Sequence, residues 1–163
     1  LEHLRRCVEL AEEALEAGDE PFGSVLVGGD GPVLAEERNR INTASDPTQH
    51  PEFMLARWAA RNLTPEQRAS ATVYTSGEHC PMCAAAHGWV GLGRIVYASS
   101  SQQLTQWRHE LGAAPPAVAP LPVQQVAPGI KVEGPPPELV DKVRELHRRL
   151  HERRHNPRNA QND

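Results

Sequence analysis

Two short stretches of the 163-residue chain bring together residue types that do chemistry as a group: His50-Pro51-Glu52 and, further along, Cys80-Pro81-Met82-Cys83. Two cysteines three positions apart at a helix start lie on one face, near the positive end of the helix dipole, which favours the thiolate that a metal ion requires. Pro81 suits the first helical position, where it has no N–H to lose. His50 stands in the same relation to the preceding helix, again followed by proline, so two helix starts are predicted to converge on one ion. One imidazole and two thiolates make three ligands, the count of a catalytic zinc site that keeps a fourth position for water. Glu52, two residues from the histidine, is placed to reach that water without being a ligand. Zinc lowers the pKa of water from roughly 16 toward about 7, and a neighbouring carboxylate can carry the released proton. The pattern reads as hydrolytic. The competing reading is a closed structural clip, with His79 or His87 as fourth ligand and no turnover.

The elements that must position these residues follow from periodicity and punctuation. Leu1, Leu4, Val8, Ala11 and Leu15 recur at helical spacing, and Gly18 can end that helix. Residues 22–27 and 33–37 read as strands joined by the glycine-rich turn Gly28-Gly29-Asp30-Gly31. A polar ordered loop is expected over 39–49, then a helix over 52–63 that stops before Pro65. Strand 71–75, helix 81–90 and strand 94–98 form a crossover unit, so those two strands are predicted to run parallel. A short helix is expected over 104–111. Residues 112–137 hold eight of the fifteen prolines and read as an irregular connector. A closing helix is predicted over 138–153, with Leu139, Val143, Leu146 and Leu150 on one face, followed by a basic tail over 154–163. The whole is expected to be one α/β domain, 1–163, with its core at about 4–111.

With 39% hydrophobic and 23% charged residues, the chain is of soluble globular type. No apolar run approaches the roughly 20 residues of a membrane span, so no membrane association is expected. No signal-peptide pattern opens it, and three cysteines, two of them three apart, suit a reducing compartment; a cytoplasmic location is expected. Residues 1–140 carry 10 Lys/Arg against 17 Asp/Glu, a balance of −7, while 141–163 carry 7 against 4, a balance of +3. The body thus lacks the basic footprint of a nucleic-acid binder, and only the tail could supply one.

The ordered motifs resemble the zinc-dependent cytidine deaminase superfamily, whose signature is H-x-E followed by P-C-x-x-C. From Pro21-Phe22-Gly23 through Asn39, Asp46-Pro47-Thr48 and His50-Pro51-Glu52 to Thr75-Ser76-Gly77-Glu78-His79-Cys80-Pro81-Met82-Cys83, the chain looks most like guanine deaminases and tRNA adenosine deaminases. The resemblance covers about residues 4–98, and the Thr-Ser-x-Glu lead-in leans toward the guanine branch. It implies a three-layer α/β/α fold with a mixed central sheet of about five strands. One Zn²⁺ per chain would be held by His50, Cys80 and Cys83, with Glu52 as proton shuttle. Asn39 would hydrogen-bond the base, Phe22 would pack on its ring and Glu78 would bind an exocyclic amine. The implied reaction is hydrolytic release of ammonia from a free amino-heterocycle, guanine or an analogue such as an aminotriazine. Alternatives are a tRNA adenosine and a cytosine or cytidine substrate. A homodimer whose pockets borrow partner residues is also implied.

Two positions depart from that family: Pro51 stands where alanine is usual, and His79 where proline is usual. Pro51 has no amide hydrogen to offer a substrate. His79 brings a bulky titratable ring beside a ligand, so both changes bear on substrate identity more than on reaction type. Simpler readings stand beside the functional ones. Phe22 is core, Asn39 a turn residue bonding its own backbone, Glu78 an exposed loop glutamate, Cys7 a small buried hydrophobe and Trp89 packing. Trp107 and Glu133 are candidate lids over the pocket.

Overall fold

A computed structural model describes residues 1–156. Helix α1 (Glu2–Glu16) leads into the hairpin β1 (Gly23–Val27) and β2 (Val33–Arg38), then α2 (Pro51–Asn62), α3 (Pro65–Ser70) and β3 (Thr72–Thr75). The second half holds α4 (Pro81–Val90), β4 (Ile95–Tyr97), α5 (Ser101–Glu110), α6 (Val123–Val126), β5 (Val132–Glu133) and α7 (Pro137–His155). The sheet order is β2-β1-β3-β4-β5. β1 runs antiparallel to both neighbours, whereas β3, β4 and β5 run parallel to one another. This is the mixed five-stranded sheet of a three-layer α/β/α fold.

Strand alternation sorts the layers. Leu26 and Val73 face α2, packing with Leu55, Ala56 and Ala59. Val25 and Val27 face α1 through Cys7 and Leu10. The same period sends Ser24 and Thr75, directly paired across β1 and β3, toward the α2 side. Both are buried although polar, which marks where the sheet meets chemistry. On the opposite face α7 covers α1: Leu139, Val143, Leu146 and Leu150 close with Leu4, Val8, Ala11, Leu15 and Trp107 into one core. Gly23 lets α1 lie against β1, since a Cβ there would sit 2.5 Å from the Cys7 carbonyl oxygen and 2.8 Å from the Ala11 nitrogen.

Several expectations need correction. The helix before Pro65 stops as expected, but Thr64 caps a further, unpredicted one, accepting from Gln67 N while the Gln67 side chain accepts from Thr64 N. Ser100 and Gln103 form the same reciprocal cap, so α5 begins three residues earlier than predicted. The connector 112–137 is not wholly irregular, because it contains α6 and the parallel edge strand β5. Trp89 is not packing; it is 91% exposed on α4. Trp107 is buried in the α1/α7 core, and Glu133 pairs with Arg94 at 3.1 Å, so neither is a lid. Of the basic tail, residues 157–163 lie outside the described residues.

Candidate metal centre

His50 is the N-cap of α2 and Cys80 the N-cap of α4; each adopts an extended backbone and hands over to a proline at the first helical position. Two proline-started helices thus present their positive ends to one point. Cys83, one turn into α4, completes the group. His50 Nδ1 lies 3.6 Å from each sulfur and the two sulfurs are 3.5 Å apart. With Zn–S near 2.3 Å and Zn–N near 2.0–2.1 Å, a tetrahedron has edges of about 3.6 Å (S···N) and about 3.8 Å (S···S). The three donors therefore stand at three corners of a zinc-sized tetrahedron. Among the described residues they are the only such set of three or more His, Cys, Asp or Glu donors.

The electrostatics are those of crowded donors. The hydrogen bond with Cys83 and that with His50 bring the Cys80 thiol down to about 4. The bond to Cys80 lifts His50 to about 9, against burial. Cys83 is pushed up by its contact with Cys80 and by burial. A divalent cation at this point answers both sulfurs and the ring at once.

Glu52 is 6% exposed, and its Oε2 lies 3.6 Å from Cys83 Sγ, bordering the cluster. Burial raises its carboxyl above the usual range, partly offset by His50. Its Oε1 is within hydrogen-bond reach of Thr75 Oγ1 (2.9 Å) and Ser24 Oγ (3.3 Å), and those hydroxyls are 2.9 Å apart. Reading for motifs quoted Thr75 without giving it a role and passed over Ser24. Their signal was a hydroxyl on the sheet's inner face in each of two otherwise well-packed strands, GSVLV and TVYT.

The remaining predicted residues separate. Pro51 is buried at the first position of α2, between His50 and Glu52. Asn39 is 2% exposed and its Oδ1 accepts from Ile41 N at 3.1 Å, the backbone-bonding turn that was the simpler reading. Phe22 is half-buried, edge-on to His147 with ring centroids 5.1 Å apart, and it touches Gly77. Glu78 is no free loop glutamate: Oε1 accepts from Ser101 N at 3.0 Å and Oε2 from Val123 N at 2.8 Å. The ring of His79 turns into the protein interior. It is fully buried, edge-on to His87 at 5.3 Å, and both its nitrogens lack partners. His87 Nε2 lies 2.7 Å from the Gly93 carbonyl oxygen, so neither histidine closes the metal sphere. Cys7 is buried as expected, which pushes its thiol up. Asp19, which sequence reasoning passed over, orders the 39–49 loop by accepting from Asn42 N, Thr43 N and Thr43 Oγ1.

The family described as the cytidine and deoxycytidylate deaminase zinc-binding region matches residues 1–99. The chain belongs to that family. It is similar to the guanine deaminase of Bacillus subtilis, at 41% identity over 97 residues, 59% of this chain and 62% of that protein. It is also similar to the tRNA-specific adenosine deaminase of Haemophilus influenzae, at 34% over 97 residues, 60% of this chain and 56% of that one. The matched stretch thus spans about three fifths of each curated relative. Among solved structures, the Bacillus subtilis guanine deaminase superposes with a TM-score of 0.57 and 29% identity, covering 77% of this chain and 88% of that one.

Proposed function

We propose that this family member is a zinc-dependent hydrolytic deaminase of a free amino-heterocycle, with guanine or a close analogue such as an aminotriazine as first candidate. The observation that carries this is the three-cornered donor set with a buried carboxylate beside it and no fourth protein donor among the described residues. Zinc held there supplies a water-derived nucleophile at neutral pH. His50, Cys80 and Cys83 hold the ion. Glu52 takes the first proton of the attacking water and gives it to a ring nitrogen, then takes the second from the hydroxyl now on the ring carbon and passes it to the amine, so that the carbon–nitrogen bond breaks and ammonia leaves. Thr75 and Ser24 fix the carboxylate that moves this proton. Pro51 closes one side without an amide to offer.

A single substitution tests the shuttle. Glu52→Gln is expected to retain one zinc per chain by elemental analysis while ammonia release falls below detection. Retained turnover would remove Glu52 from that role. An ammonia-release screen across guanine, cytosine, adenine, their nucleosides and aminotriazines, with an anticodon-loop RNA beside them, identifies the substrate; release from RNA alone would favour the tRNA reading.

We further propose a cytoplasmic homodimer. The thiols a metal needs are held reduced there, and no described helix is long and apolar enough to cross a membrane. The bare indole of Trp89 on α4 supports a partner surface. Sedimentation measures it directly.

A further inference from the structure

A cavity of about 410 Å³ adjoins the metal cluster, with Cys80 and Gly77 in its wall. That volume falls in the range of roughly 300–1,000 Å³ typical of small-molecule sites and exceeds what a bare heterocycle fills. Its other walls come from α5 and from the proline-rich segment 113–121, which contribute Leu104, Pro115, Pro116, Val118 and Leu121.

The polar groups lining it are largely committed to the protein itself. Ser99 Oγ donates to the Ser76 carbonyl oxygen at 2.8 Å, Thr105 Oγ1 donates to the Ser101 carbonyl oxygen at 2.8 Å, and Ser100 Oγ accepts from Gln103 N at 3.0 Å. Both oxygens of Glu78 are taken by backbone amides. Ser101 and, from the end of α5, Arg108 and His109 are the other polar side chains of the wall. Arg108 Nη2 donates to the Ala114 carbonyl oxygen at 3.0 Å, which ties the start of the segment to α5. Its far end is tied by the Glu78 bond to Val123 N, and Val123 is buried against Ala84 and Ile95. The segment is a fixed roof of apolar side chains over a space that begins at a metal ligand.

We propose that this cavity receives an apolar substituent carried by the heterocycle, so that the substrate class is an alkyl-substituted amino-heterocycle rather than a nucleoside or RNA. The inference rests on the deaminase reading and narrows it. Methylenes entering the cavity leave water for an apolar wall and gain about fourfold in affinity each. A ribose would bring hydroxyls against partners already engaged, and each buried hydroxyl left unpaired loses roughly tenfold to a hundredfold.

The test uses the full chain loaded with zinc. Ammonia release is measured for guanine and an aminotriazine, for their propyl derivatives substituted at each nitrogen in turn, and for their ribosides. At least one propyl isomer is expected to lower KM about tenfold or more relative to its parent, and the ribosides to lose at least tenfold in kcat/KM. Val118→Ser, at an exposed position that should not threaten folding, is expected to erase part of the propyl gain with zinc content unchanged. Ribosides matching or outrunning every propyl isomer would overturn the proposal. If no compound releases ammonia although zinc is stoichiometric, the deaminase reading fails by itself. Calorimetric binding of parent and propyl compounds to the same protein then still decides the cavity, and equal affinities would sink it.

Discussion

Thr75 has one hydroxyl proton and two acceptors in reach, Glu52 Oε1 and the Gly77 carbonyl oxygen, each at 2.9 Å. Ser24 adds a second donor 2.9 Å from the Thr75 hydroxyl and 3.3 Å from the same carboxylate oxygen. Whichever way the protons lie, the two hydroxyls share the task of holding Glu52 at one rotamer. Thr75→Val keeps the shape and the strand propensity but removes a bond to a charged group, a loss of about 1.5–3 kcal/mol. We therefore expect kcat to drop roughly tenfold to a hundredfold with zinc content unchanged, whereas Ser24→Ala, with the longer contact, should lose less. Equal kcat for wild type and Thr75→Val would mean that the carboxylate is held by other means. At this scale the sequence was legible where spacing reports geometry: His50, Cys80 and Cys83 meet because helix starts and the three-residue step fix them. It was illegible where function depends on which face a strand turns inward, as for Ser24 and Thr75, or where a polar group turns to its own chain, as for Glu78 and Asn39.

The elements were readable in proportion to their length and regularity. α1 carries three turns of unbroken apolar periodicity, and α4 lies between a proline start and Gly91, whose φ of 80° is the left-handed cap of the helix. β5 is two residues long and sits among prolines, so no alternation could announce it; it exists because the open edge of β4 accepts it. α3 and the start of α5 were missed, because their signals are the capping boxes Thr64/Gln67 and Ser100/Gln103 rather than a hydrophobic period. One tight junction between elements is α1 on β1 at Gly23. Gly23→Ala would drive a methyl group into the helix backbone, which cannot retreat without leaving Val25 and Val27 unpacked. Overpacking of this kind costs about 1–3 kcal/mol, and a urea midpoint indistinguishable from wild type would refute so close a contact.

Across the whole molecule, α7 is the layer that completes the fold, and it carries a titratable group into the core. His147 is 7% exposed, packed between Phe22 and Trp107. Burial, with Arg108 and Arg154 nearby, brings its pKa down from 6.5 to about 4. The folded protein holds this ring neutral, whereas the unfolded chain takes up a proton below about 6.5, so its contribution is complete above that pH and is lost as pH falls toward 4. Its full size is about 3 kcal/mol. Stability from urea titrations should decline across that window, and His147→Leu should flatten the decline; an unaltered slope would assign the acid sensitivity elsewhere.

Glu78 stands two positions before Cys80 and holds both the start of α5 and the amide of Val123. The peptide that carries a metal ligand is thereby also the peg for the far end of the proline-rich roof. Chelating the ion should make the backbone of 113–121 the first place a broad-specificity protease cuts, with the rest of the domain digested later. Identical digestion patterns for stripped and loaded protein would mean that the roof stands without its peg.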